Sequence, residues 1–344
     1  MLKYLTPFIE AFFFTVFFIS IILPVAKKIH WSGRSLGRHI HKKGVYRIGG
    51  VAMVLAFNLT VIFDANLVMT PELLGFMLAS IILMLVGVRD DIRELFWKTQ
   101  LFFQMATAFL IFILGVRIYY ITNPLTGGIL DLNLGSTVLI SLALVVFWIV
   151  FVMNAVNWID GVDGLSGGIS LISIGTIFAL SFKPEVNQPP VAIISCVIFG
   201  AILGFLIFNF NPARVLAGTS GAMFMGLSLA ILAIFSGTKI ATAILVLVIP
   251  IINFMWVIGE RIRHKQPIFK PDNNHLHHKL LDIGWSQRKI AICYYVLTAI
   301  VALIALNTRI IGKSITLFIS VSIMLIASFI INKKLSKIRK SESM

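Results

Sequence analysis

Apolar residues fill this chain in long blocks, and its polar residues fall in short clusters between them. About eleven blocks have the length that a hydrocarbon core requires of a helix. Their approximate cores are 5–25, 49–63, 72–88, 99–116, 136–153, 168–182, 191–208, 221–235, 240–258, 290–306 and 314–331. The blocks read as helices, because an open strand edge cannot face lipid with its backbone groups unpaired. Pro24, Pro250 and several glycines sit in or near them, which membrane helices tolerate. No long linker, repeat or low-complexity tract interrupts the series. The expected architecture is therefore all-α and polytopic, with residues 1–344 forming a single transmembrane domain. The first block, Tyr4 to Val25, carries no small-residue cleavage site and predicts a retained span.

Composition agrees with the pattern. Hydrophobic residues make up 58% of the chain and charged residues only 12%, against about 25% charged in a soluble domain. The mean hydropathy is +0.97. The two cysteines, Cys196 and Cys293, lie inside apolar blocks and suggest neither a disulfide framework nor a thiolate metal site.

Charge orients the series. With the N-terminus outside, 23 of the 29 Lys and Arg fall on one side, among them Lys27, Lys28, Arg34, Arg38, Lys42, Lys43, Arg47, Lys98 and five residues from Lys333 to Lys340. The other side holds Lys3, Arg117, Lys183, Lys239, Arg309 and Lys313. The positive-inside rule makes the first side cytoplasmic and places the C-terminus there too. The net charge of +15 then reflects topology and attraction to anionic headgroups, not nucleic-acid binding. All seven histidines and the pairs Asp90–Asp91 and Asp160–Asp163 share the cytoplasmic side.

Four clusters carry candidate chemistry. In Val88-Arg89-Asp90-Asp91-Ile92-Arg93-Glu94, adjacent carboxylates at a membrane surface favour a divalent cation or cationic side chains beside them. Asp90 and Glu94 would share a face if the helix continued. Local pairing with Arg89 and Arg93 is the plainer account. In the second cluster, Asn154, Asn157, Asp160 and Asp163 stand at three-residue steps that can bring them to one side of a helical turn, among glycines that allow close approach to a ligand. Such oxygens suit Mg²⁺ with a substrate phosphate; an Asp-Gly turn is the alternative. The third, Gly218-Thr219-Ser220-Gly221, is able to present backbone N–H groups to a phosphate, or simply to turn. The fourth, Pro271-Asp272-Asn273-Asn274-His275-Leu276-His277-His278, suits either a transition metal or an anionic or nucleotide ligand, and spacing does not decide.

In order and spacing these segments resemble the polyprenyl-phosphate N-acetylhexosamine-1-phosphate transferases, glycosyltransferase family 4, which include phospho-N-acetylmuramoyl-pentapeptide transferase. The resemblance runs through Tyr46-Arg47-Ile48-Gly49-Gly50, Asp90-Asp91 with Lys98 and Gln104, Asn154 to Gly164, Asn209 to Ala213, Pro271-Asp272 and His275 to His278. It implies transfer of a sugar 1-phosphate from a UDP-N-acetylhexosamine to polyprenyl (undecaprenyl) phosphate, with Mg²⁺ as cofactor and UMP released. The site would lie at the cytoplasmic face of the inner membrane, in cell-envelope glycan synthesis. On this resemblance Asp90, Asp91, Asp160 and Asp163 are the catalytic candidates. Asp90, Asp91, Asp163 and Thr219 are the metal positions. Arg47, Lys98, Asn154, Asn157, Asn209, His275, His277 and His278 are the substrate-binding positions.

The chain departs from the family at several places, Asn273 among them, where an arginine is common after Pro-Asp. Thr219 and Ala222 stand in a segment that usually reads Gly-Asp-small-Gly-Ser, and Asn253 stands in a usual Pro-x-x-Asp. They support a second reading, a non-catalytic relative that binds the lipid or the nucleotide sugar. A transporter would need ionisable groups at mid-span depth, and these spans are nearly free of them. Whether the chain forms a homodimer stays open.

Overall fold

The computed structural model describes residues 1–29, 44–122, 128–132, 135–236, 240–267, 275–308 and 310–342. Helices form over every expected apolar core: α1 (Leu2–Lys28), α2 (Gly49–Phe63), α3 (Pro71–Ile92), α4 (Trp97–Ile113), α5 (Thr137–Ile159), α6 (Leu165–Ser181), α7 (Pro189–Asn209) and α8 (Gly218–Phe235), then α9 (Ile240–Val246), α10 (Val248–Arg263), α11 (Leu276–Asp282), α12 (Gln287–Asn307) and α13 (Ile310–Glu342). Local chemistry sets several starts. Pro71 opens α3 behind Thr70, whose hydroxyl accepts the Leu73 N–H, and Ser286 accepts the Lys289 N–H at the start of α12.

Among the described residues seven helices are long and apolar enough to cross a membrane, and α2 and α6 are shorter apolar helices. With this architecture the chain is a multi-pass membrane protein. The ninth block differs from its single expected helix, because it is cut at Leu247 into α9 and α10. Pro250 explains the cut: its ring crowds the carbonyl four residues back, at Val246, and offers it no N–H. The sequence pattern also gave no sign of a small antiparallel hairpin after α4. There β1 (Tyr120–Thr122) pairs with β2 (Ile129–Asp131), Tyr120 opposite Asp131. Strands of three residues carry too little alternation to be read.

The centre of the bundle is α8, packed against α2, α3, α5 and α6. Its most apolar window is 89% buried, whereas that of α13 is 11% buried and that of α1 is 17%. One apolar core gathers α1 to α8; a second joins α6 with α9, α10, α11, α12 and α13. Both cysteines are free.

Candidate active site

The site begins where α3 stops. Ile92 is the last helical residue, so Glu94 lies beyond the helix and does not share a face with Asp90. Asp90 closes the turn instead. Its Oδ1 accepts the Leu95 N–H at 2.8 Å and the Gln100 side-chain amide at 2.7 Å. Its Oδ2 accepts the Thr219 hydroxyl at 2.6 Å. Asp91 faces inward, with a fully buried side chain. Arg47 Nη1 lies 3.3 Å from its Oδ1, and the Thr219 N–H donates to the same oxygen at 3.1 Å. Asp91 Oδ2 is buried with no hydrogen-bond partner among the described residues. The local pairing with Arg89 and Arg93 does not form here: the Arg89 guanidinium reaches the Arg93 carbonyl, and the partner of Asp91 comes from 44 residues away.

Backbone pairing delivers that distant partner. Leu216 N–H donates to Tyr46 O, and the Gly49 and Gly50 N–H groups donate to Leu216 O and Ala217 O at 3.0 Å each. This short zipper sets Arg47 beside the N-terminus of α8. Gly218 follows with φ +68°, and an added Cβ there would sit 2.4 Å from Asp91 Oδ2. Only glycine satisfies both the backbone and the approach.

The second cluster is a loop more than a helical face. Asn154 and Asn157 lie on α5, but the helix ends at Ile159 and Asp160 leaves it with ψ 47°. The three-residue step therefore does not carry Asp160 and Asp163 onto the face of the asparagines. Asn154 donates to Gln104 Oε1 at 2.7 Å, joining α5 to α4. Asn157 is half-buried, and its side-chain amide makes no hydrogen bond among the described residues. Asp160 accepts a hydrogen bond from the Ser166 hydroxyl. Asp163 Oδ2 accepts from the Asn211 amide at 2.8 Å and the Ala213 N–H at 3.0 Å, while its own N–H donates to Gln287 Oε1 at 3.0 Å. Asn209 holds the loop, accepting the Gly164 N–H and donating to Val215 O, each at 2.9 Å. Tyr295 donates to Gly164 O, and Arg288 donates to Asn211 O at 2.7 Å.

Electrostatics tie this loop to the first cluster. Burial pushes the Asp160 carboxyl up to about 7. The Ser166 hydrogen bond and the Arg47 guanidinium act against that shift, and the negative charges of Asp91 and Asp163 reinforce it.

The histidines meet the same loop from the other side. His275 precedes α11, whose first N–H, at Leu276, donates to Asn253 Oδ1 at 3.2 Å; the Asn253 amide lies 3.3 Å from His275 Nδ1. Trp158 meets the His275 ring edge-on at 5.6 Å, and the Arg261 guanidinium lies 4.7 Å over Trp158. His277 is fully buried, nearly parallel to His275 at 5.3 Å and 4.4 Å from the His278 ring. Neither ring nitrogen of His277 has a hydrogen-bond partner among the described residues. Burial, aided by His278 and His275, holds His277 well below its ordinary value, so its imidazole is neutral. The fit against Gly161 is tight: an added Cβ would sit 2.5 Å from His277 Nε2 and 2.9 Å from His278 Nε2. Glu260 anchors α11 through Lys279 at 3.0 Å and binds Asn332 of α13 at 3.0 Å.

Most expected positions thus converge: Arg47, Asp90, Asp91 and Thr219 around the start of α8, then Asp160, Asp163, Asn209 and the histidines around residues 160–164. Lys98 does not join them. It is exposed, with its ammonium 5.7 Å from the Trp97 ring. Arg34, Arg38, Lys42, Lys43, Lys270 and the segment Pro271–Asn274 lie outside the described residues. Sequence reasoning assigned no role to Gln100, Ser166, Asn211, Gln287 or Arg288, which bond to the site's carboxylates and loops. Among the described residues no group of three or more His, Cys, Asp or Glu side chains is placed to hold a metal ion.

Residues 73–237, from α3 to just past α8, match the family described as glycosyl transferase family 4. Over 302 residues the chain is 31% identical to decaprenyl-phosphate N-acetylglucosaminephosphotransferase of Mycobacterium leprae (strain TN), covering 79% of this chain and 75% of that relative. The chain belongs to glycosyl transferase family 4. It is also 29% identical to a probable undecaprenyl-phosphate N-acetylglucosaminyl 1-phosphate transferase of Bacillus subtilis (strain 168), over 92% of this chain and 88% of the relative. A phospho-N-acetylmuramoyl-pentapeptide-transferase of the same organism is 28% identical over 86% of this chain and 94% of its own length. The stretch that matches the glycosyl transferase family 4 description contains both aspartate pairs and Thr219; Arg47 and the histidines lie on either side of it.

Proposed function

We propose that the protein transfers an N-acetylhexosamine 1-phosphate group from a UDP-N-acetylhexosamine to polyprenyl phosphate at the cytoplasmic face of the cell membrane. An oxygen of the lipid phosphate forms a bond to the sugar-bearing phosphorus, the bond from that phosphorus to the bridging oxygen breaks, and UMP leaves. The observation that carries this reading is the joining of Arg47, Asp90, Asp91, Asp160 and Asp163 into one electrostatic cluster at the helix ends. The relatives' named substrates, decaprenyl and undecaprenyl phosphates, agree with a lipid acceptor.

The donor set fits a hard divalent cation. Its ligand atoms are oxygens, and Asp91 presents a buried carboxylate oxygen that no described group satisfies. Asp91 would hold Mg²⁺ through that oxygen, with water and substrate phosphate oxygens completing the shell, and the ion would supply neutralisation of the diphosphate charge. Arg47, one-fifth exposed beside Asp91, orients and balances a phosphate at the rim. Asn157 and the histidines beside Gly161, of which the buried His277 is neutral, would supply hydrogen bonds for the nucleotide sugar.

The test is purified protein in detergent with radiolabelled UDP-N-acetylglucosamine, undecaprenyl phosphate and Mg²⁺. Label should move to the organic phase with one UMP per lipid product. Absence of lipid-linked label with every UDP-N-acetylhexosamine would overturn the reading. Orientation is checked with Lys98→Cys in a Cys196→Ala, Cys293→Ala background. An impermeant maleimide should label it only after the membrane is opened, and labelling in intact cells would reverse the topology.

A further inference from the structure

Thr219 is the second residue of α8, and it makes two bonds to one pair of neighbouring carboxylates. Its backbone N–H donates to Asp91 and its hydroxyl donates to Asp90. The hydroxyl bond, at 2.6 Å, has the length of an O–H···O⁻ bond to a charged acceptor. Asp90 is thus gripped from two sides. Leu95 and Gln100, from the α3–α4 turn, hold one oxygen, and Thr219, from the central helix, holds the other. Asp91 is held at Oδ1 alone.

That division has a chemical consequence. A hydroxyl owns one proton, and here the proton points at a carboxylate. A neutral oxygen in that state is a weak ligand for Mg²⁺ beside the carboxylates next to it. The bond also fixes where the Asp90 charge sits. Two carboxylates on successive residues repel, and each needs donors of its own to stay in place.

We infer that Thr219 is a positioning residue that sets the geometry of the Asp90–Asp91 pair and is not a ligand of the metal ion. The inference rests on the proposed transferase reading for its catalytic sense, but the bond itself is testable without turnover. Through Thr219, the central helix holds Asp90 by its hydroxyl and Asp91 by its backbone, leaving Asp91 Oδ2 for the cation.

The experiment compares wild type with Thr219→Ser, Thr219→Val and Thr219→Ala, the last two removing the hydroxyl while keeping the backbone N–H. Three readouts are taken on purified protein: carbodiimide labelling of Asp90 by mass spectrometry, with Asp160 and Asp163 as internal controls; Mn²⁺ affinity by electron paramagnetic resonance; and kcat and KM. Loss of the hydroxyl should raise labelling of Asp90 several-fold without raising that of the controls. It should leave Mn²⁺ affinity within about twofold and lower kcat by about 10- to 100-fold at little-changed KM, the worth of one hydrogen bond to a charged group. Thr219→Ser should restore Asp90 labelling and kcat, with Mn²⁺ affinity little changed throughout. If Thr219→Val and Thr219→Ala instead weaken Mn²⁺ binding tenfold or more and serine restores it, Thr219 is a ligand and the inference fails. It also fails if Asp90 labelling does not change. A wild-type protein that shows no transfer with any UDP-sugar sinks the transferase reading, while the labelling still decides the role of the Thr219 hydroxyl.

Discussion

Two halves of the site sit against the same five-residue loop and are built on opposite principles. Around the start of α8, charges are met by charges and by strong donors: Asp91 by Arg47 and a backbone N–H, Asp90 by Gln100 and Thr219. Around α11, His275 meets the Asn253 amide, and His277 is buried, neutral and packed against Gly161. The first half is suited to managing the charge of transferring phosphates. The second is suited to recognising a ligand by shape and by neutral hydrogen bonds. A substitution should therefore fail differently according to the half in which it falls.

The largest effect is expected from Asp91→Asn. The amide keeps the shape and still accepts the Thr219 N–H, but the buried charge opposite Arg47 is gone. Initial rates of lipid product should fall on the order of 100- to 1000-fold, the scale of losing one preorganised electrostatic contact at a reacting centre. Turnover near wild type would show that the charged half is not where the chemistry occurs.

Gly161→Ala strikes the packed half. The new methyl group would stand too close to His277 and His278 for either ring to stay in place. A misplacement of about 1 Å costs on the order of 10- to 100-fold, and it should appear mainly as a higher KM for the nucleotide sugar. A change confined to kcat would break the contrast between the halves.

His277→Leu sharpens the same contrast at lower cost. Two buried ring nitrogens without partners among the described residues destabilise the fold, so an apolar side chain of similar volume should leave the melting temperature unchanged or raise it. The KM for the nucleotide sugar should rise about tenfold, the value of one lost hydrogen bond. A lower melting temperature would mean that His277 supports the fold.

The smallest effect is a pH dependence. The folded protein keeps the Asp160 proton up to about 7, whereas the unfolded chain releases it near the ordinary aspartate value of 3.8. Between those values the folded state binds more protons, so the contribution of Asp160 to stability is full below the lower value and lost as pH rises through the upper one. Melting temperatures of wild type and Asp160→Asn, followed from pH 4 to pH 8, should diverge in that direction, the variant being flatter. Parallel curves would assign the carboxyl an ordinary environment.

Much of this was legible in the chain, and unevenly so. Each apolar block became a helix because membrane burial demands length and uniform hydrophobicity, which a sequence displays openly. The hidden features were local breaks: the cut at Leu247, the hairpin at 120–131, and the ends of α3 and α5 at Ile92 and Ile159. The aspartates, Arg47, Thr219 and the histidines were visible as residue types out of place in an apolar protein. Their partners were not. Ser166, Gln100 and Gln287 are ordinary polar residues, and nothing in their spacing tells that the last bonds to Asp163 across 124 positions. Lys98 shows the converse, since a cation near an acidic pair in the chain lies exposed in the fold.

The burial of α8 also bears on how the bilayer acts on the protein. A change in lipid thickness works through helices that touch hydrocarbon, by tilt and mismatch. α13 and α1 take that load directly, whereas α8 is enclosed by protein along nearly its whole length. Thr219 rides on the helix that lipid touches least, and the aspartate pair is referenced to that axis. Bilayer strain reaches the carboxylates through α3, whose apolar stretch is 56% buried, while Thr219 ties them to an axis that lipid barely touches.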